Sequence, residues 1–166
     1  MKVAIISDIH DNLVNLEKCF RWCGENKIEV LLCCGDVTNN ETLEIIANDF
    51  TGKIYLVKGN ADFWDDKDTA AFKQITYLGR DGGLVALGGK RIGLCHEPKL
   101  IADLIRLKRP DIVFFGHTHQ PWESVEDSVK IVNPGTLSGM FFKTTFAAYD
   151  TATDDLQLII LETIPD

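Results

Sequence analysis

The sequence predicts an α/β fold in which two mixed β-sheets form the core and helices cover the outside. Strand and helix patterns alternate through the first half of the chain, which indicates parallel strands joined by right-handed crossovers. The second half changes to a hairpin, one helix and several short strands. The chain has 166 residues, of which 45% are hydrophobic and 25% charged. These values predict one globular domain spanning residues 1–166.

Three buried strands and two helices are expected in the first half. The strands are uninterrupted apolar runs, and the helices show apolar residues at three- and four-residue spacing. The predicted strands lie at 3–7, 30–34 and 54–57, and the predicted helices lie at 12–22 and 41–50. Gly24 is a candidate stop for the first helix.

The second half is expected to contain one further helix and seven strands. A hairpin turns at Gly88-Gly89, and Pro110 follows the end of the helix. The predicted strands lie at 84–87, 91–95, 112–115, 122–125, 129–132, 145–150 and 156–161, and the helix lies at 100–107. We expect the last four strands to form a mostly antiparallel meander.

Charge and cysteine content argue against several classes of function. The net charge is −8, the sequence pI is near 4.9, and no long basic run occurs, so a stable nucleic-acid complex is not expected. No apolar run reaches the length of a membrane span, so no membrane association is expected. The N-terminal residues do not form a signal-peptide pattern, and several of the five cysteines fall in apolar runs. This indicates reduced thiols in a cytoplasmic protein.

Metal-ligand side chains follow five of the predicted strands. They are Asp8, His10, Asp36, Asn60, Asp62, His96, His117 and His119, and they include all four histidines of the chain. Because sites in α/β sheets form at the carboxyl ends of strands, we expect these side chains to converge. Residues two apart in a strand exit point the same way, which lets each D-x-H or H-x-H pair bind one ion. Mixed carboxylate and imidazole ligands favour Mn, Fe or Zn over Ca.

Each motif alone is also typical of an ordinary turn or of a hydrogen-bonded histidine. The metal-site hypothesis therefore depends on the combination of motifs. Glycine precedes three of the candidate ligands, where it is expected to permit a sharp backbone turn.

The combined pattern resembles the calcineurin-like metallophosphoesterase superfamily, and in particular its small, uncapped bacterial and archaeal phosphodiesterases. The matching motifs are Asp8-Ile9-His10, Gly35-Asp36, Gly59-Asn60-Ala61-Asp62, His96 and Gly116-His117-Thr118-His119. The resemblance covers essentially the whole chain. It implies a four-layer α/β/β/α sandwich with two mixed β-sheets.

The resemblance also implies a reaction and a role for each residue. The implied metal ligands are Asp8, His10 and His119 for one ion and Asn60, His96 and His117 for a second, with Asp36 bridging both. The implied catalytic residues are Asp36, Asn60, Asp62 and His96. Two divalent ions are expected, with Mn first and Fe, Zn, Ni or Mg as alternatives. A hydroxide bridging the ions would attack the phosphorus of a small phosphodiester in line.

Two positions depart from the family pattern, and one turn matches it. Many members have histidine at Ala61, where it would stabilise the transition state or protonate the leaving group, and glycine at Glu97. We expect Glu97 to face solvent. The Asn133-Pro134-Gly135-Thr136 segment resembles a turn of this branch, and a plain β-turn is its simplest interpretation.

Two alternative functions stay open at this point. A retromer coat subunit of the same fold is an interaction module, and a phosphomonoesterase is a second enzymatic alternative. Exposed apolar residues for a partner surface or a homo-oligomer could come from Phe63-Trp64 or from Met140-Phe141-Phe142. Core packing or a lid over the pocket is the simpler interpretation of both segments.

Overall fold

The computed structural model describes residues 1–165; residue 166, the last of the predicted domain, lies outside them. Eleven strands and three α-helices form within the described residues. The strands are β1 (Lys2–Ile6), β2 (Val30–Cys33), β3 (Lys53–Leu56), β4 (Ile75–Tyr77), β5 (Gly83–Leu87), β6 (Lys90–Leu94), β7 (Ile112–Phe114), β8 (Trp122–Glu126), β9 (Val129–Asn133), β10 (Thr145–Asp150) and β11 (Asp155–Ile160). The helices are α1 (Leu13–Glu25), α2 (Asn40–Asp49) and α3 (Ile101–Lys108).

The strands form two mixed sheets, as predicted. The first sheet has the order β11-β10-β1-β2-β3-β4, and the second has the order β5-β6-β7-β9-β8. Strands β1 to β4 run parallel, and β10 pairs with β1 in the antiparallel direction. Helices α1 and α2 pack on the outer face of the first sheet, and α3 packs on that of the second. The result is the expected α/β/β/α sandwich.

Alternation along β1 shows how one strand serves two layers. Val3 and Ile5 face the apolar layer between the two sheets, whereas Ala4 and Ile6 face α1 and α2. All four side chains are fully buried. Burying a valine or isoleucine side chain stabilises a fold by roughly 1.5–3 kcal/mol. The end of β1, from which the next residues of the chain emerge, is therefore held rigidly in the core.

Three sequence predictions differ from the structure. Helix α1 continues past Gly24 to Glu25, and its end is closed by hydrogen bonds from Asn26 N to the Trp22 carbonyl and from Lys27 N to the Gly24 carbonyl. Strand β4 was not predicted, since it is only three residues long and half-buried. The last four strands do not form one meander: β8 and β9 form a hairpin in the second sheet, whereas β10 and β11 form one in the first. The connection between β9 and β10 crosses from one sheet to the other.

The five cysteines are buried and none forms a disulfide within residues 1–165. Burial raises the pKa of the Cys95 thiol to about 12 and raises that of Cys34 well above its usual value. These thiols therefore stay protonated and act as small apolar side chains. No helix among residues 1–165 is long and apolar enough to span a bilayer.

Candidate metal centre

The carboxyl ends of β1, β2, β3, β6 and β7 meet at one edge of the sandwich and bring seven of the predicted side chains together. At the floor of the site, Asp8, Asp36 and His96 are buried, with ligand atoms within 4.8 Å of one another. At the rim, Asn60 and His117 are exposed. The site is therefore an open cleft with a buried acidic floor.

One half of the cleft contains the predicted ligands of the first ion. His10 Nε2 lies 3.2 Å from His119 Nε2 and 3.9 Å from Asp8 Oδ1. His119 Nε2 lies 3.4 Å from the same carboxylate oxygen. These three side chains form a group that could hold a metal ion.

The other half contains the predicted ligands of the second ion. Asn60 Oδ1 lies 2.9 Å from His96 Nε2 and 2.7 Å from His117 Nδ1. Asp36 lies between the two halves: its Oδ2 is 3.3 Å from His96 Nε2 and 3.6 Å from His10 Nε2. This central position is the one that a bridging carboxylate requires.

Backbone strain is concentrated in the same residues. Five of the seven predicted ligands have left-handed backbone with φ between 43° and 72°, namely Asp8, His10, Asp36, His117 and His119. A non-glycine residue in this region costs on the order of 1 kcal/mol or more and persists where the surrounding structure imposes it. The strain turns each side chain from the sheet into the cleft. Its concentration at these residues is typical of a functional site.

Glycines at three strand ends leave room for the ligands. A Cβ on Gly35 would lie 3.0 Å from His96 Nδ1, and one on Gly59 would lie 2.9 Å from Asp36 Cγ. A Cβ on Gly116 would lie 2.9 Å from Asp8 Oδ2. Only Gly35 has a positive φ, so the turn explanation applies to it alone. At Gly59 and Gly116, close approach of a ligand is the physical requirement.

The arrangement of donor atoms fits a cation. His96 Nδ1 lies 2.7 Å from the Cys34 carbonyl oxygen, which can only accept, so this nitrogen carries a proton. The lone pair of a neutral ring would then point from Nε2 toward the Asp36 carboxylate. Electron pairs facing one another at this distance require a positive charge between them, either a proton or a metal ion. A donated Nδ1 hydrogen with a free Nε2 is the usual state of a metal-binding histidine.

The pKa values of the floor residues show how the negative charges are balanced. Burial raises the pKa of Asp8, and the nearby His96 and His119 only partly offset it. Burial also acts to raise the pKa of Asp36, but its hydrogen bond with His96 and the charge of that ring outweigh this and lower it. Burial would lower the pKa of His96, yet the hydrogen bond and charge of Asp36 raise it. The floor therefore favours bound positive charge.

Asp62 lies beneath the ligands and holds their loops. Its Oδ2 accepts hydrogen bonds from the backbone N–H groups of Gly59 and Asp36, at 2.6 and 3.1 Å. Its Oδ1 accepts one from Thr38 N at 2.7 Å. These contacts tie the loop after β2 to the loop after β3. They fix the position of Asp36, and a direct catalytic role for Asp62 stays a prediction.

The segment after β9 supports the site more than a plain turn would. Asn133 Nδ2 donates to the Gly116 carbonyl at 2.9 Å, next to His117. Thr136 Oγ1 donates to the Asp8 carbonyl at 2.8 Å. This positioning role was missed, since the sequence does not show which loops the turn contacts. The hint was the position of an asparagine and a threonine directly after a buried strand.

The remaining predicted residues occupy the rim and its surroundings. Ala61 contributes its backbone N–H, which donates to Asp36 Oδ1 at 2.8 Å. Glu97 pairs with Lys99 at 2.6 Å, and this hydrogen bond lowers the pKa of the Glu97 carboxyl. Trp64 is buried beneath the Lys58 ammonium and belongs to the core, whereas Phe63 is exposed.

Known proteins similar to this chain include two phosphodiesterases that match over most of their lengths. Phosphodiesterase MJ0936 of Methanocaldococcus jannaschii is 26% identical over 167 residues, covering 98% of this chain and all of the relative. Phosphodiesterase YfcE of Escherichia coli K12 is 26% identical over 151 residues, covering 83% of this chain and 80% of the relative.

Solved structures share the fold at lower identity. A structure described as a novel archaeal phosphodiesterase superposes with a TM-score of 0.85 and 23% identity, over 96% of this chain and 99% of the other. Vps29 of Entamoeba histolytica complexed with zinc has a TM-score of 0.70 and 19% identity, over 97% and 99%. A family model of the calcineurin-like phosphoesterase superfamily domain matches residues 1–154. The chain belongs to the calcineurin-like phosphoesterase superfamily.

Proposed function

We propose that this chain is a metal-dependent phosphodiesterase acting on small phosphodiesters. The observation that carries the proposal is the cleft itself, in which seven ligand-type side chains from five strand ends meet and Asp36 lies between the two halves. Five of the seven are held in left-handed backbone to face it. The two curated relatives named above are both called phosphodiesterases, which supports the same activity here.

The side chains would bind two divalent ions in the two halves of the cleft. Asp8, His10 and His119 would bind one ion, Asn60, His96 and His117 the other, and Asp36 would contact both. Such ions supply Lewis acidity and lower the pKa of bound water. The chain's part is to fix the ligands: Cys34 sets the His96 ring, and the Ala61 N–H holds one oxygen of Asp36.

The rim residues favour diesters with good leaving groups. Position 61 contributes only a methyl side chain, so it offers no imidazole to protonate a leaving group. General acid catalysis is typically worth about 10²–10⁴-fold, which a reactive leaving group does not need. The open cleft also admits substrates of varied size. These features support a diesterase over a phosphomonoesterase.

Further features of the proposal concern the metal, the setting and the assembly. We expect Mn²⁺ to support activity first, because mixed imidazole and carboxylate donors suit it, with Fe, Zn, Ni and Mg as alternatives. Five unpaired cysteines favour a reducing, cytoplasmic setting. We also propose that residues 1–166 act as one domain that forms no stable nucleic-acid complex. A homo-oligomer is compatible with the exposed aromatic residues.

A non-enzymatic scaffold is the second candidate, for which the exposed side chains of Phe63 and Phe141 would offer a partner surface. Against it, the strained ligand loops and the glycines that clear space for them would serve no purpose in a surface used only for docking. Fold likeness at this identity carries no function of its own.

The direct test is hydrolysis by protein that has been stripped of metal and resupplied with Mn²⁺. We expect cleavage of bis(p-nitrophenyl) phosphate that depends on metal, and a loss of at least about 10²-fold in Asp36→Ala. Asp103→Ala is the matched control, because Asp103 is an exposed carboxylate on α3. Equal activity in the Asp36 and Asp103 variants, or none in the wild type, would reject the proposal.

A further inference from the structure

One aromatic side chain at the rim of the cleft is unusually exposed. Phe141 is 85% exposed, and its ring centroid lies 6.0 Å from that of His119, a predicted metal ligand. An exposed phenylalanine ring does not contribute the stabilising free energy that it would contribute if it were buried. Exposed aromatic groups beside a polar site are typical of surfaces that bind a ligand.

The backbone of Phe141 is strained as well. Its φ is 67°, in the left-handed region that bulky side chains rarely adopt. The same left-handed conformation occurs in His119, whose ring Phe141 contacts. Strain of this kind is kept where it places a side chain for function. Here it directs the ring to solvent beside His119.

The loop that carries Phe141 is fastened to the metal-ligand loops. Ser138 N donates to the Asp8 carbonyl at 2.9 Å, and Asn12 Nδ2 donates to the Ser138 carbonyl at 3.0 Å. Met140 N donates to Ser138 Oγ at 3.2 Å. On the other side, the Met140 carbonyl lies 3.5 Å from His119 Nδ1. The backbone that leads into Phe141 is therefore held at a defined place relative to the cleft.

We propose that Phe141 determines specificity, as a platform on which a planar aromatic group of the phosphodiester stacks. This inference rests on the proposed function. Phe141 lies beside His119, at the edge of the half of the cleft formed by Asp8, His10 and His119, so the stacked group would be a substituent on that side of the phosphate. Within this proposal we assign it to the ester that hydrolysis retains. The substrate class is then a diester with an aryl or nucleoside substituent on that side. Stacking of a base on an aromatic side chain corresponds to about 5- to 150-fold in affinity.

Two substrates with the same leaving group isolate this effect. p-Nitrophenyl phenyl phosphate and methyl p-nitrophenyl phosphate both release p-nitrophenolate and differ only in the retained ester. We expect wild type to prefer the phenyl ester by at least about 5-fold in kcat/KM, and Phe141→Ala to reduce this preference to about 1- to 2-fold. Phe141→Tyr should retain it. Phe63→Ala is the matched control, because Phe63 is 83% exposed on another loop, and it should leave the preference unchanged.

Binding without turnover gives a second readout. Calorimetry on Mn²⁺-loaded protein should show phenylphosphonate binding more tightly than methylphosphonate in wild type but not in Phe141→Ala. If neither diester is cleaved, the proposed function fails, and the phosphonate comparison still tests the platform. An unchanged preference in Phe141→Ala overturns the inference. So does a halved mass of that variant in light scattering, because the ring would then be a contact between two copies of the chain.

Discussion

Gly59→Ala is predicted to disable the site by moving Asp36. The added Cβ would collide with Asp36 Oδ1 and with its backbone nitrogen, and it would lie 2.9 Å from Asp36 Cγ. Carbon atoms in contact prefer about 3.5–4.0 Å, and Oδ1 and the backbone nitrogen of Asp36 lie closer to the added Cβ than Cγ does, so the side chain has to move by roughly 1 Å. A displacement of about 1 Å at a reacting centre can cost about 10²-fold in rate. Overpacking of this kind also destabilises a fold by about 1–3 kcal/mol.

Gly24→Ala is the matched control for this substitution. Gly24 lies inside α1, and no atom lies within 4 Å of a Cβ built there. Alanine in a helix interior should stabilise the protein by about 0.5–1 kcal/mol and leave hydrolysis unchanged. Both variants would be compared by Mn²⁺-dependent hydrolysis of bis(p-nitrophenyl) phosphate and by chemical denaturation.

The two measurements together separate a local effect from general unfolding. We expect kcat/KM of Gly59→Ala to fall by about 10- to 100-fold at a temperature where the variant is still folded. If folded Gly59→Ala hydrolyses the diester as fast as Gly24→Ala does, close packing of Gly59 on Asp36 does not hold the site, and the reasoning is refuted.

Two further predictions concern the support of the floor. In the wild type, one oxygen of the Asp62 carboxylate accepts hydrogen bonds from two backbone N–H groups, and Asp62→Asn replaces the charged acceptor with a neutral amide. We therefore expect the free energy of unfolding to fall by about 1.5–3 kcal/mol and Mn²⁺ to bind more weakly. Unchanged stability and affinity would contradict this. Because the pKa of His96 is raised in the folded protein, protonation of this ring stabilises the metal-free fold. This contribution to the free energy of unfolding is fully present below about pH 6.5 and is lost as the pH rises through the pKa of the folded state. Mn²⁺ must displace that proton, so its dissociation constant should fall with rising pH and calorimetry should detect proton release; a constant that does not change with pH would contradict this.

The sequence was sufficient to predict the two sheets and the meeting of the ligands, because both depend on short-range patterns. Buried strands are visible as apolar runs, and the residues that follow parallel strands have to share one edge. Asp8 and Asp36 could be brought together on this ground, since β1 and β2 are parallel neighbours. The contact of Asp8 with His117 joins the two sheets and depends on how they pack against each other.

What the sequence did not reveal depends on long-range partners. The hairpin of β10 and β11, near the C-terminus, pairs with β1, near the N-terminus. This pairing depends on long-range packing, which local sequence patterns do not show. Similarly, nothing local shows that the Asp62 carboxylate receives backbone N–H groups from two loops. The left-handed backbone at His10 and Phe141 is also set by surrounding contacts, since neither residue favours it.

The most direct test of the proposed dinuclear site is a titration of metal-stripped protein with Mn²⁺ under tight-binding conditions, following diester hydrolysis. The two groups of ligands around Asp36 predict that activity rises until two equivalents per chain are bound. Asp36→Ala should bind fewer equivalents and show no rise in activity. Activity that is complete at one equivalent, or that needs no metal, would contradict the account.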